Sequence, residues 1–134
     1  MERLPLSTGH RKEFLDITDG VQAAVGRLDL REGAALIFVP HTTAGVTVNE
    51  GADPDVAHDL AGVMERLVPA RGPYRHAEGN SDAHAQSVLA GPSCVLPVEG
   101  GRIRLGTWQR VFFCEFDGPR SREVWIQPLP APRE

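Results

Sequence analysis

Residues 108–117 read WQRVFFCEFD, and they decide the fold because apolar side chains occupy both faces of this stretch when it is extended. Successive side chains of a β-strand point to opposite faces. One face carries Phe112, Cys114 and Phe116, and the other carries Gln109, Val111, Phe113 and Glu115. A strand that is apolar on both faces is buried on both, so the pattern predicts a central strand of a sheet.

Segments on either side of this strand predict the rest of the fold. Runs of strand length occur at residues 11–17, 34–39, 45–49, 94–98, 102–105 and 122–127. Helices are predicted after Thr18, which can cap the first of them, after Asp53, which precedes a proline, and over residues 81–90. Strands and helices do not alternate regularly. The sequence therefore predicts an α+β fold, a compact single domain with a largely antiparallel β-sheet body and two to three packed helices.

The chain as a whole has the length and composition of one globular domain, residues 1–134, with a core at about residues 11–128 and a flexible tail at 129–134. Its formal net charge of −4 argues against a general nucleic-acid binder, but a local cationic pocket can still hold a small anion. No apolar run has secretory or membrane-spanning length. We expect a cytoplasmic protein without a membrane partner, in which Cys94 and Cys114 stay reduced.

Three polar stretches carry candidate chemistry, and the first is Pro40–Glu50, PHTTAGVTVNE. It begins where the apolar strand AALIFV ends. A polar side chain at a strand end is held by rigid backbone and still reaches the surface, which suits a site residue. His41 is therefore either a ligand or catalyst, followed by Thr42 and Thr43 as binding candidates, or an ordinary strand-end histidine.

The second stretch is residues 74–84, YRHAEGNSDAH. Asn80 and Ser81 stand at the predicted start of a helix, where free backbone N–H groups favour an anion. His76 and His84 flank that corner and, with His41, would give the three imidazoles and open position of a catalytic zinc site. Carboxylates at positions 78 and 82 could add a ligand, orient an imidazole or act as a base. The alternative is a capped turn with solvated charges.

The third stretch continues the central strand to Arg120. Glu115 is costly to bury between phenylalanines unless it is paired, so it either meets an arginine or serves a metal or ligand. Arg120 follows a Gly-Pro turn and either clamps a phosphate or carboxylate or is an exposed arginine.

Taken together, PHTTAGVTVNEGADPDV, YRHAEGNSDAH and LGTWQRVFFCEFDGPRSREV closely resemble the YjbQ-like proteins in order and spacing, over about residues 12–127. That family is described as secondary thiamine-phosphate synthase enzymes. The resemblance implies the family's α+β fold and a homotrimer with polar residues near the subunit boundaries. It also implies a metal held by His41, His76 and His84, with Glu78, Asn80 and Asp82 in the same pocket.

The activity implied by the resemblance joins hydroxymethylpyrimidine diphosphate to a thiazole phosphate and releases pyrophosphate. Departure of pyrophosphate needs a metal or an arginine, and Trp108 or Phe113 could stack on the pyrimidine. Three histidines suit zinc or another transition metal better than magnesium. The expected catalytic groups are Glu78, Asp82 and Glu115, and the expected substrate-binding residues are Thr42, Thr43, Asn80, Ser81, Trp108, Gln109 and Arg120.

Two other functions fit the same residues. A metal-dependent hydrolase could use metal-bound water against a small phosphorylated or amide metabolite. A non-catalytic module could bind a metal or an anionic metabolite without forming a product.

Overall fold

Residues 1–133 are described by a computed structural model, and within them the chain forms eight strands and three helices. The strands are β1 (Glu2–Ser7), β2 (Glu13–Asp16), β3 (Gly33–Phe38), β4 (Ala44–Glu50), β5 (Ser93–Glu99), β6 (Arg102–Ile103), β7 (Gln109–Glu115) and β8 (Ser121–Pro130). The helices are α1 (Thr18–Arg27), α2 (Pro54–Leu67) and α3 (Ser81–Ala90).

The strands form two antiparallel sheets, which confirms the predicted α+β class. The larger sheet has the order β1-β8-β3-β5-β6 and the smaller has the order β2-β7-β4. As predicted from its two apolar faces, β7 is the central strand of its sheet. Phe113 packs into a core that both sheets and α1 share, whereas Cys114 and Phe116 pack on the other side against residues of α2 and α3.

Two of the helix starts follow from local sequence. The Asp53 side chain accepts a hydrogen bond from Asp55 N at 2.9 Å and caps α2, as predicted. The prediction that Thr18 caps α1 is wrong, because Thr18 is the first helical residue. Asp16 instead accepts from Thr18 N and Oγ1, at 3.0 and 2.7 Å. Thr18 Oγ1 in turn accepts from Val111 N at 2.7 Å, which ties the helix to the central strand.

The ordered structure extends further than predicted at both ends. Strand β1, which was not predicted, pairs with β8 from Glu2 opposite Ile126 to Ser7 opposite Ser121. Pro5 is tolerated in β1 because β1 is an edge strand. On its outer side no neighbouring strand requires a backbone N–H donor. At the other end, residues 129 and 130 of the predicted flexible tail pair with β3. Position 134 of that tail lies outside the described residues.

Both cysteines are free thiols, as predicted. Burial raises the pKa of Cys94 to about 11 and that of Cys114 to about 12, so both are poor nucleophiles. Among the described residues, no helix has the length and apolar character needed to cross a membrane.

Candidate functional site

A pocket of about 340 Å³ lies where β4 begins and β7 ends. The antiparallel register pairs Ala44 with Glu115, so the segment before β4 and the turn after β7 meet at one end of the smaller sheet. The start of α3 joins them, because Asn80 Nδ2 donates to Asp117 Oδ2 at 2.9 Å, and further along the helix Ser87 Oγ donates to Ala44 O at 2.9 Å. Seven of the predicted site residues line this pocket, namely His41, Thr42, Thr43, Glu78, Asn80, His84 and Arg120.

His41 is held by the backbone of β8. Its Nε2 lies 3.0 Å from Glu123 N and 3.1 Å from Glu123 O. Strand β3 pairs with β8 only as far as Phe38 opposite Trp125, so beyond that point the imidazole takes the place of a strand partner for Glu123. Burial, with help from the Arg122 charge, lowers the pKa of His41. The lowered pKa favours the neutral ring, and Nδ1 is the ring nitrogen without a hydrogen bond to the described residues.

His76 and His84 approach each other edge to face, with ring centroids 5.5 Å apart. His76 Nε2 lies 3.7 Å from Glu78 Oε2. The turn between the two histidines uses Gly79 at a φ of 78°, a conformation that costs glycine little. His84 and Glu78 face the pocket, whereas His76 is not among its lining residues.

Asp82 points away from the pocket into the body of the protein. Its side chain is fully buried, and it forms ion pairs with Arg11 at 3.2 Å and Lys12 at 2.9 Å. Burial alone would raise the pKa of Asp82, but hydrogen bonds from Arg11 and Lys12 lower it overall. The geometry favours a structural role, because both carboxylate oxygens are used to attach α3 to the segment before β2.

Glu115 is fully buried and paired with Arg122, a residue that the sequence analysis did not identify. Arg122 Nε and Nη2 donate to the two carboxylate oxygens at 2.9 and 2.5 Å, and Nη2 also donates to Thr43 Oγ1 at 2.8 Å. Thr8 Oγ1 and Asp117 N donate to Glu115 as well. Burial raises the pKa of Glu115, but these donors outweigh it and lower the pKa below its usual value. Of the two alternatives for Glu115, this is the arginine pair.

Asn80 and Arg120 are joined through Asp117, which the sequence analysis also missed. Asp117 Oδ2 accepts from Asn80 Nδ2 at 2.9 Å and from Arg120 Nη2 at 3.0 Å. Arg120 Nε also donates to Asp117 O at 2.9 Å. The guanidinium is thereby oriented at the pocket rim, where its side chain is 49% exposed.

Trp108 and Gln109 lie away from the pocket, contrary to the prediction that they bind substrate there. Gln109 opens β7 opposite Glu50, and β7 runs roughly 20 Å from there to the pocket end. The Gln109 side chain accepts from Gly106 N. Phe113, the other stacking candidate, is completely buried beside His41. Ser81 begins α3 without lining the pocket.

The predicted three-histidine metal centre does not fit the described residues of one chain. No group of three or more His, Cys, Asp or Glu side chains among them could hold a metal ion. His41 commits Nε2 to β8, Asp82 is turned inward, and only the His76–His84 pair with Glu78 stays close together. No reaction step is therefore assigned to a metal.

The fold and the pocket define a class of small α+β proteins in which two antiparallel sheets carry a His, Asn and Arg pocket at one sheet end. The chain belongs to the YjbQ family, since residues 2–131 match the family model described as UPF0047 protein YjbQ-like. The predicted family membership is confirmed.

Relatives at high identity support this assignment. The UPF0047 protein YugU of Bacillus subtilis is 46% identical, with 96% of this chain and 98% of YugU covered. A crystal structure of a YjbQ/UPF0047-family protein from Clostridium acetobutylicum matches with a TM-score of 0.93 at 43% identity, covering 96% of this chain and 100% of that one. A conserved hypothetical protein from Thermus thermophilus matches with a TM-score of 0.90 at 50% identity, with the same coverage.

Proposed function

We propose that the pocket binds a small phosphorylated metabolite and transforms it, with thiamine-phosphate-synthase-type transfer as the leading reaction. The observation that carries this proposal is the convergence of His41, Asn80, His84 and Arg120 from three separate stretches on one pocket. A volume of about 340 Å³ is within the range of small-ligand sites.

In this transfer, the thiazole nitrogen attacks the pyrimidine methylene carbon. The carbon–oxygen bond to the diphosphate breaks, and pyrophosphate leaves with the electron pair. Arg120 suits the leaving group because Asp117 fixes one edge of its guanidinium, while Nη1 has no hydrogen-bond partner among residues 1–133. A positioned cation stabilises the charge that develops on the departing oxygen.

A hydrolase of a small phosphorylated metabolite is the second candidate. Alkylation of a thiazole nitrogen requires no proton transfer, whereas hydrolysis requires a base that accepts a proton from water. His84 and Glu78 both line the pocket and can take that role. Their presence is the observation that supports hydrolysis as the second candidate.

A metal is a separate proposal. The His76–His84 pair suits zinc or another transition metal better than magnesium, which prefers oxygen ligands. The third donor would have to come from a ligand or another subunit. Elemental analysis of untreated protein should then detect a transition metal that is lost in His84→Ala; metal-free protein would refute the proposal.

Self-association is proposed on the outer face of the larger sheet. Trp125 alternates with the buried Val124 and Ile126 and therefore points outward, where it stacks on Phe38 with ring centroids 5.8 Å apart. Val95 is 58% exposed and Leu129 also reaches the surface. Glu123, whose backbone holds His41, lies two residues before Trp125 on the same strand, so this face lies next to the pocket rim. We propose that this face joins three copies of the chain near their pockets.

The experiment is incubation of the purified chain with hydroxymethylpyrimidine diphosphate and thiazole phosphate, with thiamine phosphate and pyrophosphate separated by ion-exchange chromatography. Arg120→Ala should lower product formation about 100-fold, as expected for loss of one transition-state donor. Arg104→Ala is the matched control, because within residues 1–133 its exposed side chain pairs only with Glu99, at the surface.

The products distinguish the candidate functions. Condensation supports the transfer, and cleavage of either phosphate ester without condensation supports the hydrolase. Saturable binding with no product would identify a non-catalytic module. Equal activity of the two arginine variants would contradict the role of Arg120.

A further inference from the structure

Asp117 belongs to the third polar stretch and connects it to the second. It lies just after β7, and its side chain is only 17% exposed. One carboxylate oxygen, Oδ2, accepts from both Asn80 and Arg120, and the backbone N–H donates to Glu115. Asp117 therefore sets the orientation of two pocket residues that come from different parts of the chain.

The contact with Asp117 determines which way the Asn80 amide points. A carboxylate oxygen can only accept, so the Asn80 nitrogen must face it and the amide oxygen must face elsewhere. A flipped amide would place two acceptors in contact. The hydrogen bond to Asp117 therefore determines the side of the amide on which Asn80 Oδ1 lies.

This orientation withholds Asn80 from its usual local role. Asn80 is the N-cap residue of α3, where an asparagine side-chain oxygen normally accepts from the first helical N–H groups. Here the side chain makes no capping hydrogen bond. Oδ1 is buried and meets no donor among the described residues, although Asn80 lines the pocket. A buried acceptor without a donor destabilises the protein unless another molecule supplies one.

We propose that Asp117 is a positioning residue that makes Asn80 Oδ1 an acceptor for an N–H or O–H donor on the ligand. The phosphate part of this ligand rests on the proposed function. The ligand class is therefore a phosphorylated small molecule that also carries an amino or hydroxyl donor. The pocket discriminates against an analogue that has the phosphate but lacks the donor, because that analogue leaves Oδ1 unpaired.

The test uses matched phosphate esters and a binding readout that needs no catalysis. Isothermal titration compares 2-hydroxyethyl phosphate with propyl phosphate, and 3-hydroxypropyl phosphate with butyl phosphate, so that each pair differs by a hydroxyl in place of a methyl group. The wild-type chain should prefer the hydroxyl member of at least one pair by about fivefold, the usual value of one net hydrogen bond. Inorganic pyrophosphate serves as the reference anion.

Three variants separate positioning from a general effect on folding. Asn80→Ala should abolish the hydroxyl preference. Asp117→Ala should also abolish it, because the amide is released, whatever happens to overall affinity. Asp117→Asn keeps an oxygen that can accept from both Asn80 and Arg120, so it should restore the preference. If Asp117 had only a structural role, its substitution would weaken the binding of both esters of a pair equally.

Two results would overturn the inference. If the chain binds both members of each pair equally, the donor requirement is refuted while the anion pocket stands. If neither inorganic pyrophosphate nor any ester binds, the proposed function fails and this inference fails with it.

Discussion

The pair between Glu115 and Arg122 is the most buried ion pair in the neighbourhood of the pocket, and it stabilises the site, which Arg122 helps to line. Four donors surround the Glu115 carboxylate, and Arg122 also holds Thr43 at the pocket wall. A buried charge that loses its partner is strongly destabilising, because the remaining charge stays desolvated.

We expect Glu115→Gln to lower the free energy of unfolding by about 3–5 kcal/mol at pH 7. Because the pKa of Glu115 is lowered on folding, its stabilisation is present above the unfolded value of about 4.3 and is lost as pH falls through the folded value. Urea unfolding from pH 7 to pH 3 should show the two proteins converging in acid. Glu99→Gln, on an exposed pair with Arg104, is the control and should change stability by less than about 1 kcal/mol. A similar loss in both variants would contradict this account.

Among the elements, α3 depends on charge rather than on an apolar stripe for its position. Its buried residues are Asp82, Ala83 and Gln86. Lys12 donates to Gln86 Oε1 at 2.5 Å as well as pairing with Asp82, and Gln86 Nε2 donates to Met64 O of α2 at 2.9 Å. This polar cluster fixes the helix whose first residues carry Asn80 and His84 into the pocket.

We expect Asp82→Asn to loosen α3, because Lys12 would keep a buried ammonium without its carboxylate partner. The loss should be about 3 kcal/mol. Native-state hydrogen exchange should accelerate at the α3 amides more than at those of β7. Glu78→Gln changes an exposed residue four positions earlier, and it should leave the amides of α3 and of β7 protected. If Asp82→Asn instead removed turnover while stability and exchange were unchanged, Asp82 would be catalytic, as the sequence analysis predicted.

For the whole molecule, one face of the five-stranded sheet has no covering helix within the described residues. Apolar side chains on it include Phe38, Val95, Trp125 and Leu129. Contiguous exposed apolar surface of this kind marks an interaction site in a folded protein.

The proposed trimer gives a test with two matched substitutions. Val95→Lys places a charge on the sheet face and should shift the protein from trimer to monomer in light scattering coupled to size exclusion. Val88→Lys adds the same charge to α3, where the side chain is 81% exposed, and should leave the assembly unchanged. A wild-type monomer, or a shift caused equally by both substitutions, would refute the sheet face as the interface.

The sequence by itself determined most of the elements and the fold class. Two-sided apolar patterning located β7, the Asp53-Pro54 pair located the start of α2, and the motifs identified the family. Such features depend on residues close together in the chain, where the spacing of side chains follows from local backbone geometry. Strand β1 was missed because its short, proline-containing sequence has no strong local signal and forms a strand only by pairing with β8.

Only the tertiary structure decided which polar residues meet. It brought His41, Asn80, His84 and Arg120 to one pocket, turned Asp82 and Glu115 inward, and left Trp108 at the far end of β7. The alternation of Arg122 with Val124 and Ile126 indicates that Arg122 is buried, but it does not indicate which residue pairs with it. The reason is physical: a buried charge is satisfied by whichever opposite charge the sheet register places beside it, and that register joins residues far apart in sequence.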